Sequence, residues 1–448
     1  MNYCSVNPFT GQLLQEYPLD HYPDVRPLQA GFDEWKRLLL TDRLQRLKKV
    51  ADHLKTQQDT FARLITLEMG KPLAEARYEL AKVQTAFDYY LSTATTSLAP
   101  QAVATNASQS FVAFEPLGVI LCVMPWNFPF WQVFRFAIPA LVAGNTVVLK
   151  HAPNVPQCAA AIADLFAACG MKNQFANFYL SNEDTAKLIA DTAISGVSFT
   201  GSDATGSIIA GLAGQAIKPA VVELGGNDAF IVLADAPLET TVAGAIKSRS
   251  INSGQSCNAA KRFLVHESIY HDFLEQLITA VKSLRVGDPM QDSTQIGPLA
   301  RLDLAEKVRT QIQETIKAGA RAHFSDAVVN GQNIVMPTVL EEVLPGMTAF
   351  ETEVFGPVWS VTRVRDVKEA INLANASVYG LGASVWTSNQ AAVMPLLSEL
   401  QTGNVFVNDI VKSDARLPFG GVKRSGFGRE LSTFGLMEFV NVKTVYCQ

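Results

Sequence analysis

The sequence predicts an α/β protein built around parallel β-sheets that helices cover on both faces. Three observations lead there. From about residue 117, β-rich runs alternate with helical segments: GVILCVM (118–124), TVVLK (146–150), FANFYL (175–180), ISGVSFTG (194–201) and KPAVVELGG (218–226), with VPQCAAAIADLFAACG among the helices. Parallel strands need crossover connections, and a helix that packs back on the sheet makes each crossover right-handed. A second strand–helix series begins near 227. The stretch from about 25 to 98 has helical spacing instead. Leu40, Leu44, Leu47, Val50 and Leu54 recur at three and four after a Thr41-Asp42 start signal, and Gly70-Lys71-Pro72 stops the following helix.

Between these regions lies LAPQAVATNASQSFVAFEPLG, polar and alternating. Such a segment cannot bury a face alone, so an extended arm is expected. The C-terminal FVNVKTVYCQ is strand-like and should pair with that arm or with another subunit. The chain of 448 residues is 48% hydrophobic and 18% charged, with net charge −5. That length suits two or three domains. The charge balance supplies no attraction for nucleic acid or an anionic membrane. The N-terminus lacks the layout of a signal peptide. The longest apolar run, FRFAIPALVAGNTVVL, is broken by Arg135, Pro139 and Gly144-Asn145, so no membrane span is expected. Six scattered cysteines (4, 122, 158, 169, 257, 447) form no CxxC pair or disulfide framework. They point to reduced thiols in the cytoplasm and to no metal site.

The chemistry-bearing residues gather where the predicted strands end, at PWNFP, KHAPN, GSDATG and ELGGND. Parallel sheets bind ligands at that edge. In GSDATG, a Gly201-Ser202 turn leads into a helix with Gly206 on its first turn, which suits a phosphate. PWNFP presents Trp126 and Asn127 between two prolines, and an Asn amide can donate to an oxyanion. Glu223 ends a strand beside two glycines. Cys257 stands in SGQSCN among small and polar neighbours. Each has a plain reading taken singly: a common turn, turn chemistry at Asn127, a salt-bridged or solvated carboxylate, a small core residue.

Together they resemble the aldehyde dehydrogenase superfamily over nearly the whole chain. PWNFP, VVLKHAPN, FTGSDATG, ELGG, GQSCNAAKR, EVFGPV, YGLGASV and PFGGVKRSGFGRE occur in the family's order. Glu223 stands 34 positions before Cys257, the family's interval between base and nucleophile. The resemblance implies a Rossmann-type parallel-sheet cofactor domain (1–98 and 117–225), an α/β catalytic domain (226–430) and a small β oligomerisation arm (99–116 and 431–448). It also implies a mechanism. The Cys257 thiolate attacks an aldehyde, Asn127 and the Cys257 N–H hold the oxyanion, and hydride passes to a nicotinamide ring. Glu223 then activates the water that hydrolyses the thioester.

For the cofactor, the resemblance brings Lys150 to the adenosine ribose, and Gly201 and Ser202 to the pyrophosphate, with Gly206 allowing close packing. It brings Glu353 to the nicotinamide ribose, Phe355 along the ring, and Trp126 and Leu224 beside the path. Members that prefer NAD carry Glu three positions after the lysine; Pro153 stands here, so NAD or NADP is expected. For the substrate, Gln132 and Arg135, three apart on a helix, and Ser413 resemble the carboxylate-binding set of the shorter bacterial succinate-semialdehyde dehydrogenases. For Arg135 the alternative is an interdomain salt bridge, and for Gln132 and Ser413 plain polar surface. Other aldehydes, such as glutarate semialdehyde or an aliphatic or aromatic one, stay open. So does a catalytically silent binding protein. A thiol hydrolase without cofactor leaves Lys150, Ser202 and Glu353 unexplained. Asn258 and Ala259 supply no neighbouring thiol for a disulfide switch. A homodimer or homotetramer is expected.

Overall fold

The computed structural model describes residues 2–325 and 331–448. A six-stranded sheet runs in the order Gly426–Phe427, Ala220–Glu223, Ile194–Thr200, Val119–Met124, Thr146–His151, Phe175–Asn177. All of its neighbouring pairs are parallel except at the Gly426–Phe427 edge. The inner strands Val119–Met124 and Thr146–His151 are buried at every residue, which is why they read as continuous apolar runs without alternation. Chain order reverses direction between Val119–Met124 and Ile194–Thr200, so a crevice opens beyond their carboxyl ends.

A seven-stranded sheet has the order Arg321–Phe324, Thr338–Glu341, Val358–Val364, Arg262–His266, Ala229–Val232, Gly382–Trp386, Asn404–Val407. Only the Arg321–Phe324 edge is antiparallel. Two buried arginines brace it through carbonyls. Arg249 donates to the oxygens of Val358 and Val354, and Arg262 to those of Asn227, Leu373 and Ala374.

The early helical region forms four helices, Arg26–Trp35, Leu40–Thr56, Gln58–Met69 and Leu73–Ser97. Thr41-Asp42 does not precede the second helix but lies in its first turn, because Leu39 already supplies the extended flanking residue. Gly70, at φ +81°, closes the third, a conformation that favours glycine. FANFYL is strand only over Phe175–Asn177. An N-terminal hairpin, Tyr3–Val6 with Leu13–Tyr17, was not anticipated; its strands are short, the first buries Tyr3 and the polar Ser5, and the second is largely exposed, so neither shows an apolar alternation.

The extended arm and the C-terminus pair with each other. Val440–Cys447 runs antiparallel to Gln109–Pro116, from Val440 opposite Pro116 to Cys447 opposite Gln109, and Gln101–Ala102 adds a third strand. Among the described residues no helix is long and apolar enough to cross a membrane.

Candidate active site

Cys257 follows a turn whose backbone is unusual. Asn252, Ser253 and Gly254 have φ of 53°, 54° and 79°, three consecutive left-handed residues of which two carry side chains. At Gly254 a side chain could not fit, since a Cβ would lie 2.2 Å from the Gly356 oxygen. Hydrogen bonds hold the turn in this shape. Asn252 Nδ2 donates to the carbonyls of Asn127 (2.7 Å) and Gln255 (3.1 Å), Ser253 Oγ donates to Gly297 O, and the Ala300 N–H donates to Gln255 Oε1. Lys261 Nζ donates to the carbonyls of Ser256 and Cys257 and pairs with Glu353 at 3.3 Å. Small residues thus leave Cys257 partly open, while its backbone is tied on both sides.

Two cavities meet there. One, of about 600 Å³, lies at the carboxyl ends of the six-stranded sheet and includes Asn127, Lys150, Ser202, Glu353 and Phe355 in its wall. The other, of about 380 Å³, lies under the helices Leu73–Ser97 and Trp131–Ala143 and includes Lys82, Arg135 and Ser413. Cys257 and Gln132 line both. A sulfur at that junction touches a ligand from either side.

Asn127 is buried and its Nδ2 donates to Gln255 O at 3.0 Å, which sets the amide beside the cysteine turn. Among the described residues no backbone acceptor takes the Cys257 N–H. Glu223 ends its strand and is 2% exposed, but its side chain lines neither cavity. It lies against the PFGG turn, where a Cβ on Gly420 would be 2.8 Å from Oε1. Among the described residues neither of its oxygens has a hydrogen bond of good geometry, and the Gly421 N–H lies near enough to favour the charged form. Burial pushes its pKa well above the usual carboxylate range, ahead of the opposing pull of Arg135. Burial also pushes the Cys257 thiol up, to about 11, against the pull of Arg135 and Lys261.

Arg135 does reach the second cavity, on the same helix face as Gln132. Its charge, however, is already met from within the chain. The guanidinium forms a buried ion pair with Glu430, and Nη2 donates to Thr200 Oγ1 at 3.1 Å. Gln132 is buried with Oε1 unpartnered, and Ser413 accepts from Lys82 Nζ at 2.6 Å.

The larger cavity suits a dinucleotide on several counts. Ser202 caps the helix Asp203–Gln215 and leaves its N-terminus facing the cavity. Gly206 packs so closely on Leu224 that a Cβ would lie 2.3 Å from Leu224 Cδ2. Trp126 and Phe355 stand edge to face at 5.9 Å across one end, where Glu353 accepts from the Gly226 N–H at 3.1 Å. At the other end Lys150 is 7% exposed, with Tyr3 of the N-terminal hairpin 5.7 Å from its ammonium. Burial pushes the Lys150 pKa down to about 8. Pro153 and Asn154 line the wall beside it, and both amide atoms of Asn154 are buried without partners.

The aldehyde dehydrogenase family profile matches residues 2–445. The chain belongs to the aldehyde dehydrogenase family. It is 45% identical over 452 residues, covering 100% of both chains, to a Synechocystis protein named a probable succinate-semialdehyde dehydrogenase [NADP(+)]. It is 41% identical over 448 residues, covering 99% of this chain and 97% of the other, to an Escherichia coli succinate semialdehyde dehydrogenase [NAD(P)+]. The crystal structure of the Streptococcus pyogenes succinic semialdehyde dehydrogenase in complex with NADP+ superposes with TM-score 0.95 at 34% identity, covering 99% of both chains.

In this aldehyde dehydrogenase several residues around the cavities were missed from sequence. Glu430 closes the motif PFGGVKRSGFGRE and could have been found as its only carboxylate. Lys261 lies within GQSCNAAKR and Asn154 within VVLKHAPN, so both had a motif signal. Lys82 had none, because it sits in a long helix far from every motif.

The raised thiol has a measurable consequence. At neutral pH the free enzyme holds Cys257 protonated, and only the thiolate reacts with iodoacetamide. Peptide-level alkylation of Cys257 should therefore accelerate about tenfold per pH unit from 7 to 9.5 without levelling, whereas an ordinary thiol levels near pH 9. A plateau below pH 9 would show that burial does not govern this sulfur.

Proposed function

We propose that this enzyme oxidises succinate semialdehyde to succinate through a covalent Cys257 intermediate, with NADP or NAD as the oxidant. The observation that carries the reading is the position of Cys257 at the meeting of two cavities, one fitted to a dinucleotide and one bearing cationic side chains. The names of the Synechocystis, E. coli and S. pyogenes relatives agree with it.

Lys150, Gly201, Ser202, Gly206, Glu353 and Phe355 would hold the dinucleotide, with Trp126 and Leu224 beside it. When bound it supplies the acceptor for the hydride that leaves the substrate carbon. The chain does the rest. Cys257 loses its thiol proton to solvent, its thiolate sulfur bonds to the aldehyde carbon, and Asn127 Nδ2 with the Cys257 N–H receives the charge on the former carbonyl oxygen. After oxidation the acyl group stays on sulfur as a thioester. Glu223 then takes a proton from the attacking water, and the thiol leaves as the carboxylate forms. Gln132, Arg135 and Ser413 would face the far end of the substrate.

Pro153 leaves the Lys150 end of the cavity without a carboxylate to repel a ribose phosphate, which favours acceptance of NADP. We assign residues 1–98 and 117–225 to cofactor binding, 226–430 to catalysis, and 99–116 with 431–448 to subunit association. The exposed Val442 and Tyr446 on the edge strand Val440–Cys447 support a homodimer or homotetramer. Six free cysteines suit the reducing cytoplasm.

A kinetic panel tests the reading. Succinate semialdehyde, glutarate semialdehyde and butanal are each assayed with NAD and with NADP. Succinate semialdehyde should exceed butanal in kcat/KM by at least about 100-fold, the worth of one charge-assisted contact. Equal values for the charged and neutral aldehydes would reject the substrate assignment.

A further inference from the structure

The helix Leu73–Ser97 presents Glu75, Tyr78, Glu79 and Lys82 to the smaller cavity, the three-and-four spacing of one helix face. Both acids on this face are already engaged. Glu79 forms a buried pair with Lys71 and accepts from the N–H groups of Phe130 and Trp131, and Glu75 accepts from the Asn252 N–H. Lys82 has no such counterpart. Its Nζ donates to Ser413 Oγ at 2.6 Å and lies 4.3 Å from the Trp131 ring centre. No carboxylate among the described residues is within ion-pair distance of it. The second buried cation of the wall, Arg135, is neutralised by Glu430.

Other charges around Lys82 do not cancel it. Asp414 is held by Arg416 at 2.7 Å, Lys412 by Asp409, and Lys247 lies exposed at the rim. Cys257 faces it across the cavity as a neutral thiol. A half-buried ammonium held by one hydroxyl and one ring is poorly compensated, since a desolvated charge needs an opposite one. A substrate that brings a carboxylate completes the arrangement.

We propose that Lys82, with Ser413, is the charge that selects an aldehyde bearing a distal carboxylate, and that Arg135 lends shape and potential rather than a free charge. The proposal rests on the succinate semialdehyde reading and names a residue for it. Burial and the nearby Arg135 push the Lys82 pKa down to about 7, opposed by Glu79 and Asp414. A bound carboxylate would raise it again. The free enzyme therefore loses the cation as pH rises past neutrality, and with it the preference for the acid aldehyde.

The test is the ratio of kcat/KM for succinate semialdehyde to that for butanal, measured with NADP in the full-length enzyme and in Lys82→Met and Lys82→Arg. In Lys82→Met the ratio should fall by roughly 100-fold, and Lys82→Arg should recover it to within about tenfold. In wild type the ratio should fall toward tenfold per pH unit above about pH 7, because the titrations of Cys257 and Glu223 enter both substrates and divide out. This second measurement needs no variant and stands if Lys82→Met does not fold. A ratio unchanged in Lys82→Met, or flat in wild type from pH 6.5 to 9, overturns the proposal. A wild-type ratio near one already at pH 6.5, where Lys82 is still charged, sinks the substrate assignment instead, so the two failures are told apart.

Discussion

Cys257→Ala should abolish aldehyde oxidation, lowering kcat by roughly 10⁴-fold or more, because loss of a nucleophile removes the whole covalent route. Among the described residues no second thiol lines either cavity. Asn258 and Ala259 follow it, and Cys122 and Cys158 are buried in the hydrophobic core around the six-stranded sheet. The fold should survive. The turn is held by Asn252, Ser253, Gln255 and Lys261 through backbone groups, none of which the sulfur supplies. Cofactor binding, read by quenching of protein fluorescence, should stay within about threefold of wild type, since surface and pocket contacts away from the change are kept. Residual steady-state oxidation above about 1% of wild type would mean that another group attacks the aldehyde.

Glu223→Gln should separate the two halves of the reaction. A first-turnover burst of reduced cofactor, close to one per active site, is expected. The steady rate should then fall by about 10²- to 10⁴-fold, the usual worth of a general base. Burial holds the Glu223 pKa well above the usual carboxylate range, so the wild-type base gains its active, unprotonated form only as pH rises. Steady-state kcat of the wild type should accordingly climb with pH beyond the usual carboxylate range, and the residual rate of Glu223→Gln should lack that climb. In this structure the carboxyl lies on the Gly420 side and lines neither cavity, while its charge still bears on the Cys257 thiol. Loss of burst and steady rate in equal measure would move Glu223 from deacylation to the attack itself.

Much of the site could be read along the chain because its chemistry depends on short segments. Asn127 sits between two prolines that end a strand, Ser202 lies between a strand and a helix, and Cys257 lies in a turn of small residues. Each segment carries its own backbone requirement, and that requirement restricts the residue types. The inner strands were legible for a similar reason: burial on both faces demands unbroken apolar runs. The N-terminal hairpin was not, although Tyr3 from it covers Lys150 and donates to Leu180 O. Nothing local in a four-residue strand says that it will lie against Lys150.

Taken alone, the sequence determined the α/β class, the strand ends at which the motifs gather, and the candidates for a nucleophile, an amide donor and a carboxylate. Tertiary structure decided which charges remain available. The sequence left Arg135 open between a carboxylate anchor and a salt bridge, and folding brings Glu430 into a buried ion pair with it. Lys82 belongs to no sequence motif, and folding places it beside Ser413 with no carboxylate partner among the described residues. The physical reason is that a charge acts through its neighbours and its desolvation, and both depend on residues far apart in the chain.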